Sequence, residues 1–286
     1  MSTVSTARRL WDACEPIAGS VYFVPQCRDR YRALGMRGRQ GYFWSRSAPM
    51  GAVSPGVTAA TFAVFEPGNA RDQVAGGMAA CSREDVLRAR FEGIAEAFRE
   101  VLAGIDVGEA VDLLRPVAEA GAVHGRPQYA GRRDLPWPSD PHAALFHACD
   151  LVREYRSDAH IALWTGDGLH PVEVMAITEL FWGVPARMHL DTRRWSEEVV
   201  TAGYQRLRDE RGWLDAQDRL TDAGLTARRS LEARTDAAMA DMAGAADRAG
   251  IDRIGATLRP VARRILDAGL YPMDTELQHG PAQLPA

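Results

Sequence analysis

The residue types best suited to chemistry gather in the run H-A-C-D-L-V-R-E-Y-R-S-D-A-H, from His147 to His160. His147, Leu151 and Glu154 stand at i, i+4 and i+7, which puts the histidine and the carboxylate on one helix face. Leu145, Phe146 and Val152 beside them are core-type residues, so polar groups approach a buried surface. Arg153, Arg156 and Asp158 crowd the end of this helix, and His160 is expected to open the next one beside Ile161, Leu163 and Trp164. Glu173, in the first turn of HPVEVMAITELF, is a lone carboxylate among apolar residues and calls for an arginine partner. Arginine gripping an anionic group while histidine, aspartate or glutamate handles a proton would make a small-molecule pocket. The same residues would equally make an ion-pair network, with His147 and His160 as hydrogen-bonded core histidines.

A second cluster precedes it. Tyr42, Trp44 and Arg46 lead into Ala48-Pro49-Met50-Gly51, and Phe62 and Phe65 follow at helical spacing from Thr58. An arginine among aromatic rings can clamp a planar or acidic ligand, and aromatic residues so spaced also serve as plain core. The candidate ligand-binding set is therefore Tyr42, Arg46, His147, Arg153, Asp158, His160 and Glu173. Glu232, Thr235 and Asp236 are expected either to pair with arginines from elsewhere or to form a solvated face. No metal site is expected: His142 and His147 are five apart, a poor fit to one helix face, and HExxH is absent. Neither GxSxG, GxGxxG nor a Walker A loop occurs, so no cofactor and no covalent nucleophile is named. The four cysteines lie far apart without CxxC and read as buried thiols.

Helices must position these groups. Helical periodicity dominates at 83–102, 111–120, 142–155, 171–182, 196–211, 222–242 and 251–270, and strand signals are few. The proline-, glycine- and arginine-rich stretch 125–141 reads as a linker or ordered connector, and the tail from residue 271 as loose. A weak internal repeat appears when Pro55 is set against Pro171, Ser82 against Ser196 and Val107 against Thr221. The expected organisation is a first repeat at 1–124, a linker at 125–141, a second repeat at 142–245, and a C-terminal helix and tail at 246–286.

The second repeat carries the more specific signature. Ser196 is a good N-cap with Glu197 and Glu198 in the first turn, Gly212 stops the helix, Trp213 and Leu214 read as a short strand, 219–221 as its partner, and Thr221 or Asp222 as the next cap. With Leu207, Arg211 to Leu214, Leu220, Thr221, Ala223 and Gly224, this passage resembles the recognition helix, wing and following helix of the MarR family. Four further segments, Y-F-W-S-R-S-A-P-M-G from Tyr42, A-T-F-A-V-F-E-P from Ala60, L-P-W-P-S-D-P-H from Leu135 and F-H-A-C-D-L-V-R-E-Y-R-S-D-A-H-I-A-L from Phe146, with L-E-A-R-T-D from Leu231, resemble an actinobacterial family of helix-turn-helix proteins. Both resemblances imply a mainly α fold of tandem winged-helix repeats, MarR-like, with a small β wing. They imply little about function.

Charge argues against the usual use of that fold. The net charge is −4 with pI near 6.0, and all 34 basic residues are arginine, as in a high-GC genome. A recognition helix entering the major groove needs flanking cations on phosphates. Here Glu197 and Glu198 head it, with Arg193, Arg194, Arg206, Arg208 and Arg219 as the available DNA contacts. The leading expectation is a small-molecule-binding protein, an enzyme of specialised metabolism being one form of it, on a winged-helix scaffold with a degenerate DNA surface. The alternative is a ligand-responsive transcription regulator of MarR type, and a homodimer through terminal helices stays open. With no apolar run of membrane-spanning or signal-peptide length, the expected setting is the cytoplasm, without a membrane partner.

Overall fold

A computed structural model describes residues 5–272, which form a mainly helical structure. The first part comprises α1 (Thr6–Gly19), α2 (Pro25–Ala33), α3 (Gln40–Ser47), α4 (Pro55–Thr61), α5 (Pro67–Ala80), α6 (Arg83–Val101) and α7 (Gly108–Glu119). There follow α8 (Pro127–Arg133), α9 (Pro141–Gly166), α10 (Pro171–Trp182), α11 (Glu197–Gln205), α12 (Asp222–Ala237), α13 (Ala240–Ala243) and α14 (Arg248–Asp267). Side-chain caps fix many of the starts: Ser54, Ser82, Ser196 and Thr221 each accept a backbone N–H in the first turn of the following helix.

The axis of the fold is α9, a 26-residue helix started by Pro141 and capped by Asp140, whose carboxylate accepts the N–H groups of His142 and Ala143. It packs against α1, α6, α7, α8 and α12, and most of its side chains are buried. The expected break near Asp158, with His160 opening a new helix, does not occur. Asp158 turns its carboxylate outward to accept the N–H of Tyr129 at 3.0 Å, so it does not compete for its own backbone, and the helix runs on. The stretch 125–141 is an ordered connector, with Gln128, Tyr129 and Arg132 of α8 buried. Gly131 is needed there, because a Cβ would sit 2.6 Å from the Pro49 carbonyl.

Helix α4 ends at Thr61, so Phe62 and Phe65 are not its continuation but fill the turn into α5 and pack on Phe43. The helical segment expected at 222–242 is divided into α12 and α13. After α11 the chain widens into a π-helical turn at Arg206–Glu210, stops at Gly212 (φ 62°) and doubles back. The two strands expected there reduce to one antiparallel bridge, Leu214 with Leu220. The turn is too short for more: the Asp215 carboxylate already takes the N–H groups of Gln217 and Arg219. Gly224, at the start of α12, lets that helix approach the Trp213 carbonyl, which a Cβ would meet at 2.3 Å.

The main core joins α1, α6, α9 and α14, and a smaller one lies among α10, α11 and Leu214. Trp164, Leu169, Val174 and Leu231 form a bridge cluster to which Val64 of the first part adds. Tyr271, placed by the sequence in a loose tail, is instead buried, its hydroxyl donating to Glu15 at 2.9 Å. The rest of that tail lies outside the described residues.

Candidate functional site

Two carboxylates of α9, one helical turn apart, organise the polar interior. Glu154, with no exposed surface, accepts Arg46 Nε and Nη2 at 3.3 and 3.1 Å and Arg153 Nη1 at 2.8 Å, with Arg132 3.6 Å away. Asp150 accepts Arg132 at 2.7 Å and Arg90 at 3.1 Å. An isolated buried carboxylate would cost several kcal/mol, which explains the pairing. Burial alone would raise the Glu154 pKa, but Arg46, Arg132 and Arg153 reverse this and hold it well below the carboxylate range. Arg153 also binds Glu15 at 3.0 Å. Four arginines thus meet three carboxylates, and the cluster is net cationic.

Three members of this cluster, Glu15, Arg46 and Arg153, line a cavity of about 1360 Å³. One wall is a face of α9 on which Arg153, Ser157, His160, Ile161 and Trp164 recur at helical spacing. Opposite stand Arg39, Tyr42 and Arg46, at i, i+3 and i+7 on and just before α3. The third wall is the segment from Met188 to Arg194, which Glu179 shapes by accepting the N–H groups of Arg187, His189 and Leu190 at 2.6–2.8 Å. That segment is tied to the first part of the chain: Glu66 N–H donates to the Arg193 carbonyl at 3.0 Å and Trp195 Nε1 to the Val64 carbonyl at 2.9 Å.

The cavity favours negative charge. Its lining holds eight arginines but only two carboxylates, Glu15 and Asp191. Among the described residues neither Arg39 nor Arg193 has a carboxylate within ion-pair distance. Arg39 lies over the Tyr42 ring and Arg193 over Phe65, whose electron-rich faces substitute in part for a counterion. Burial lowers the pKa of both guanidiniums, the mark of charge held without full compensation. Tyr42 reports the resulting field. Burial opposes ionisation of its phenol, yet Arg46, Arg193, Arg153 and Arg39 together outweigh burial and bring its pKa below the ordinary value.

Of the seven candidates from the sequence, Tyr42, Arg46, Arg153 and His160 meet in this cavity. The other three do not reach it. His147 is wedged edge-on between Phe91 and Trp137, and burial lowers it to about 4, so it is a neutral core histidine. Asp158 serves the start of α8, and Glu173 caps α10 by accepting the His170 N–H while holding Arg206 at 3.0 Å and Arg211 at 3.3 Å. Glu232, buried, pairs with Arg8, Arg156 and Arg228 rather than forming a solvated face.

Among the arginines expected to meet DNA, Arg193 and Arg194 line the cavity, Arg208 pairs with Asp218, and Arg219 pairs with Asp215 at 2.8 Å. Glu197 is engaged by Arg187 at 2.8 and 2.7 Å. The sequence reading missed Arg39, Glu15, Tyr22, Trp164 and Tyr271 as lining residues. The stripe Arg39-Tyr42-Arg46 was the available signal. The rest depend on tertiary contact.

Among the described residues no group of three or more His, Cys, Asp or Glu could hold a metal ion, and no helix is long and apolar enough to cross a membrane. No curated protein and no solved structure matches the chain. A family model described as a helix-turn-helix family matches residues 7–272, nearly the whole of the described structure. This chain therefore belongs to that helix-turn-helix family.

Proposed function

We propose that this protein binds an anionic small molecule in the cavity between α3, α9 and the segment from Met188 to Arg194. The observation that carries the reading is the pair Arg39 and Arg193, two cavity-lining arginines without a carboxylate partner that both lie over the Phe65 ring, at 5.0 and 4.5 Å from its centroid. Two guanidiniums held so close repel one another, and an oxyanion between them would turn that repulsion into charge-assisted hydrogen bonds. The volume suits a ligand of drug size or larger. Thermal-shift measurements with cinnamate and its neutral isostere cinnamamide test this. Stabilisation by the acid and not the amide is expected, and equal response to both contradicts it.

The scaffold reading favoured is two winged-helix-like repeats, from the common order of capped elements after Pro55 and Pro171 and from the Leu214–Leu220 bridge beside Gly224. On this reading the face headed by Glu197 and Glu198 is a degenerate DNA surface: Arg206, Arg208 and Arg219 are already held by Glu173, Asp218 and Asp215. Membership of a helix-turn-helix family supports a second reading, a ligand-responsive regulator. One observation favours it: the cavity wall at Arg193 and Arg194 leads directly into Ser196 and α11, so an occupant would bear on that helix.

A further inference from the structure

Lining residues that are themselves exposed mark where the cavity meets solvent, and they include Phe23, Arg28, Arg37, Met188 and Arg194. Phe23 and Met188, 46% and 47% exposed, are two of the four large apolar side chains left open among the described residues. Among the described residues none of these three arginines has a carboxylate within ion-pair distance. Arginine, methionine and an aromatic ring together are the composition of a protein–protein contact rather than of ordinary solvated surface. An acidic surface adjoins this opening. Glu198 follows Arg194 by four residues, and Glu198, Thr201 and Gln205 recur at helical spacing on exposed positions of α11, with exposed Asp209 in the π-helical turn beyond. No arginine interrupts that stripe, and among the described residues neither Glu198 nor Asp209 has one within ion-pair distance.

The two patches complement each other in charge, but on one chain they lie side by side and not face to face. A second copy related by a two-fold axis sets the acidic stripe of each protomer over the arginine opening of the other, so that one contact satisfies both. A nucleic acid would suit only the arginines, because its phosphates would be repelled by the adjoining carboxylates. The terminal helices offer no competing face of this kind: α14 buries Ile251, Ile254, Leu258, Val261 and Ile265 and packs on α1 and α7 of its own chain. We propose that the protein forms a two-fold dimer through these adjoining patches, α11 of each copy closing the cavity opening of the other. The partner copy thus supplies the carboxylates that Arg28, Arg37 and Arg194 lack within their own chain.

Sedimentation equilibrium of the full chain tests this, with an arginine-reversed variant, Arg37→Glu with Arg194→Glu, and an acid-reversed variant, Glu198→Arg with Asp209→Arg. All four positions are exposed, and circular dichroism checks folding. Wild type should be dimeric at low salt, and its dissociation constant should rise at least about tenfold between about 0.05 and 0.5 M salt. Each variant alone should dissociate at least about tenfold more readily than wild type. An equimolar mixture of the two variants should restore the dimer, because in a two-fold contact every reversed patch then meets opposite charge. Wild type that stays monomeric at about 0.1 mM chain, a dimer that neither reversal weakens, or a mixture no more associated than its components overturns the proposal.

Discussion

Arg193 lies over the ring of Phe65, its guanidinium carbon 4.5 Å from the ring centroid, although the two residues belong to opposite parts of the chain. Arg193 lines the cavity, and no carboxylate among the described residues lies within ion-pair distance of it. If the charge serves a ligand and not the fold, Arg193→Met should weaken binding of an aromatic carboxylate by about tenfold or more, as expected for loss of a charged hydrogen-bond partner. The melting temperature should stay within about 2 °C or rise, since an uncompensated buried charge is removed. A large fall in melting temperature would assign Arg193 to structure instead.

Glu154 is the reverse case. Removing it as Glu154→Ala strands Arg46, Arg132 and Arg153 in the interior and should cost about 3–5 kcal/mol in urea unfolding. Because its folded pKa is depressed, the stability it supplies is present above the unfolded carboxylate value and is lost as pH falls toward the folded one. Wild type and variant should therefore converge only in strong acid.

Asp158 and His147 act in opposite directions in one pH window. Burial raises Asp158 to about 6, so its charged form costs stability at neutral pH, and that cost is relieved as pH falls from about 6 toward 4. His147, lowered by burial to about 4, contributes its full stability above about 6.5 and loses it as pH falls from there toward 4. Asp158→Asn should stabilise the protein at neutral pH by on the order of 1–2 kcal/mol, the gain shrinking on acidification. His147→Phe should flatten the acid limb of the wild-type curve. Chemical denaturation across this range reads both, and a gain for Asp158→Asn that grows in acid would contradict the assignment.

The winged-helix face gives a plain expectation. Fluorescence anisotropy with a mixed-sequence duplex should find binding no tighter than about the micromolar, non-specific level at physiological salt, and Arg206→Ala should not change it. Nanomolar binding with a steep salt slope, reduced by Arg206→Ala, would favour the regulator.

The helical class and most helix starts were legible in the sequence because caps and prolines are local signals: Ser82, Ser196, Thr221 and Pro171 each begin the element they announce. The continuity of α9 was not legible. Ser157 and Asp158 look like a helix end until the partner of Asp158, the N–H of Tyr129, is brought up by α8. Four of the seven candidate residues converge in the cavity because arginine, tyrosine and histidine on apolar helices must find partners wherever the chain meets. His147 followed the same logic to a different end, filling a gap between two aromatic rings. The cavity position of Arg193 was not legible either: its place beside a recognition helix suggests DNA, and only the Glu66 and Trp195 hydrogen bonds tie its segment to the first part of the chain.

Calorimetric titration of cinnamate into wild type and into the double variant Arg39→Met, Arg193→Met tests the central claim most directly. Saturable single-site binding to wild type, abolished in a double variant that melts at the same temperature, is the result predicted. No binding to wild type, or equal binding to both proteins, would contradict it.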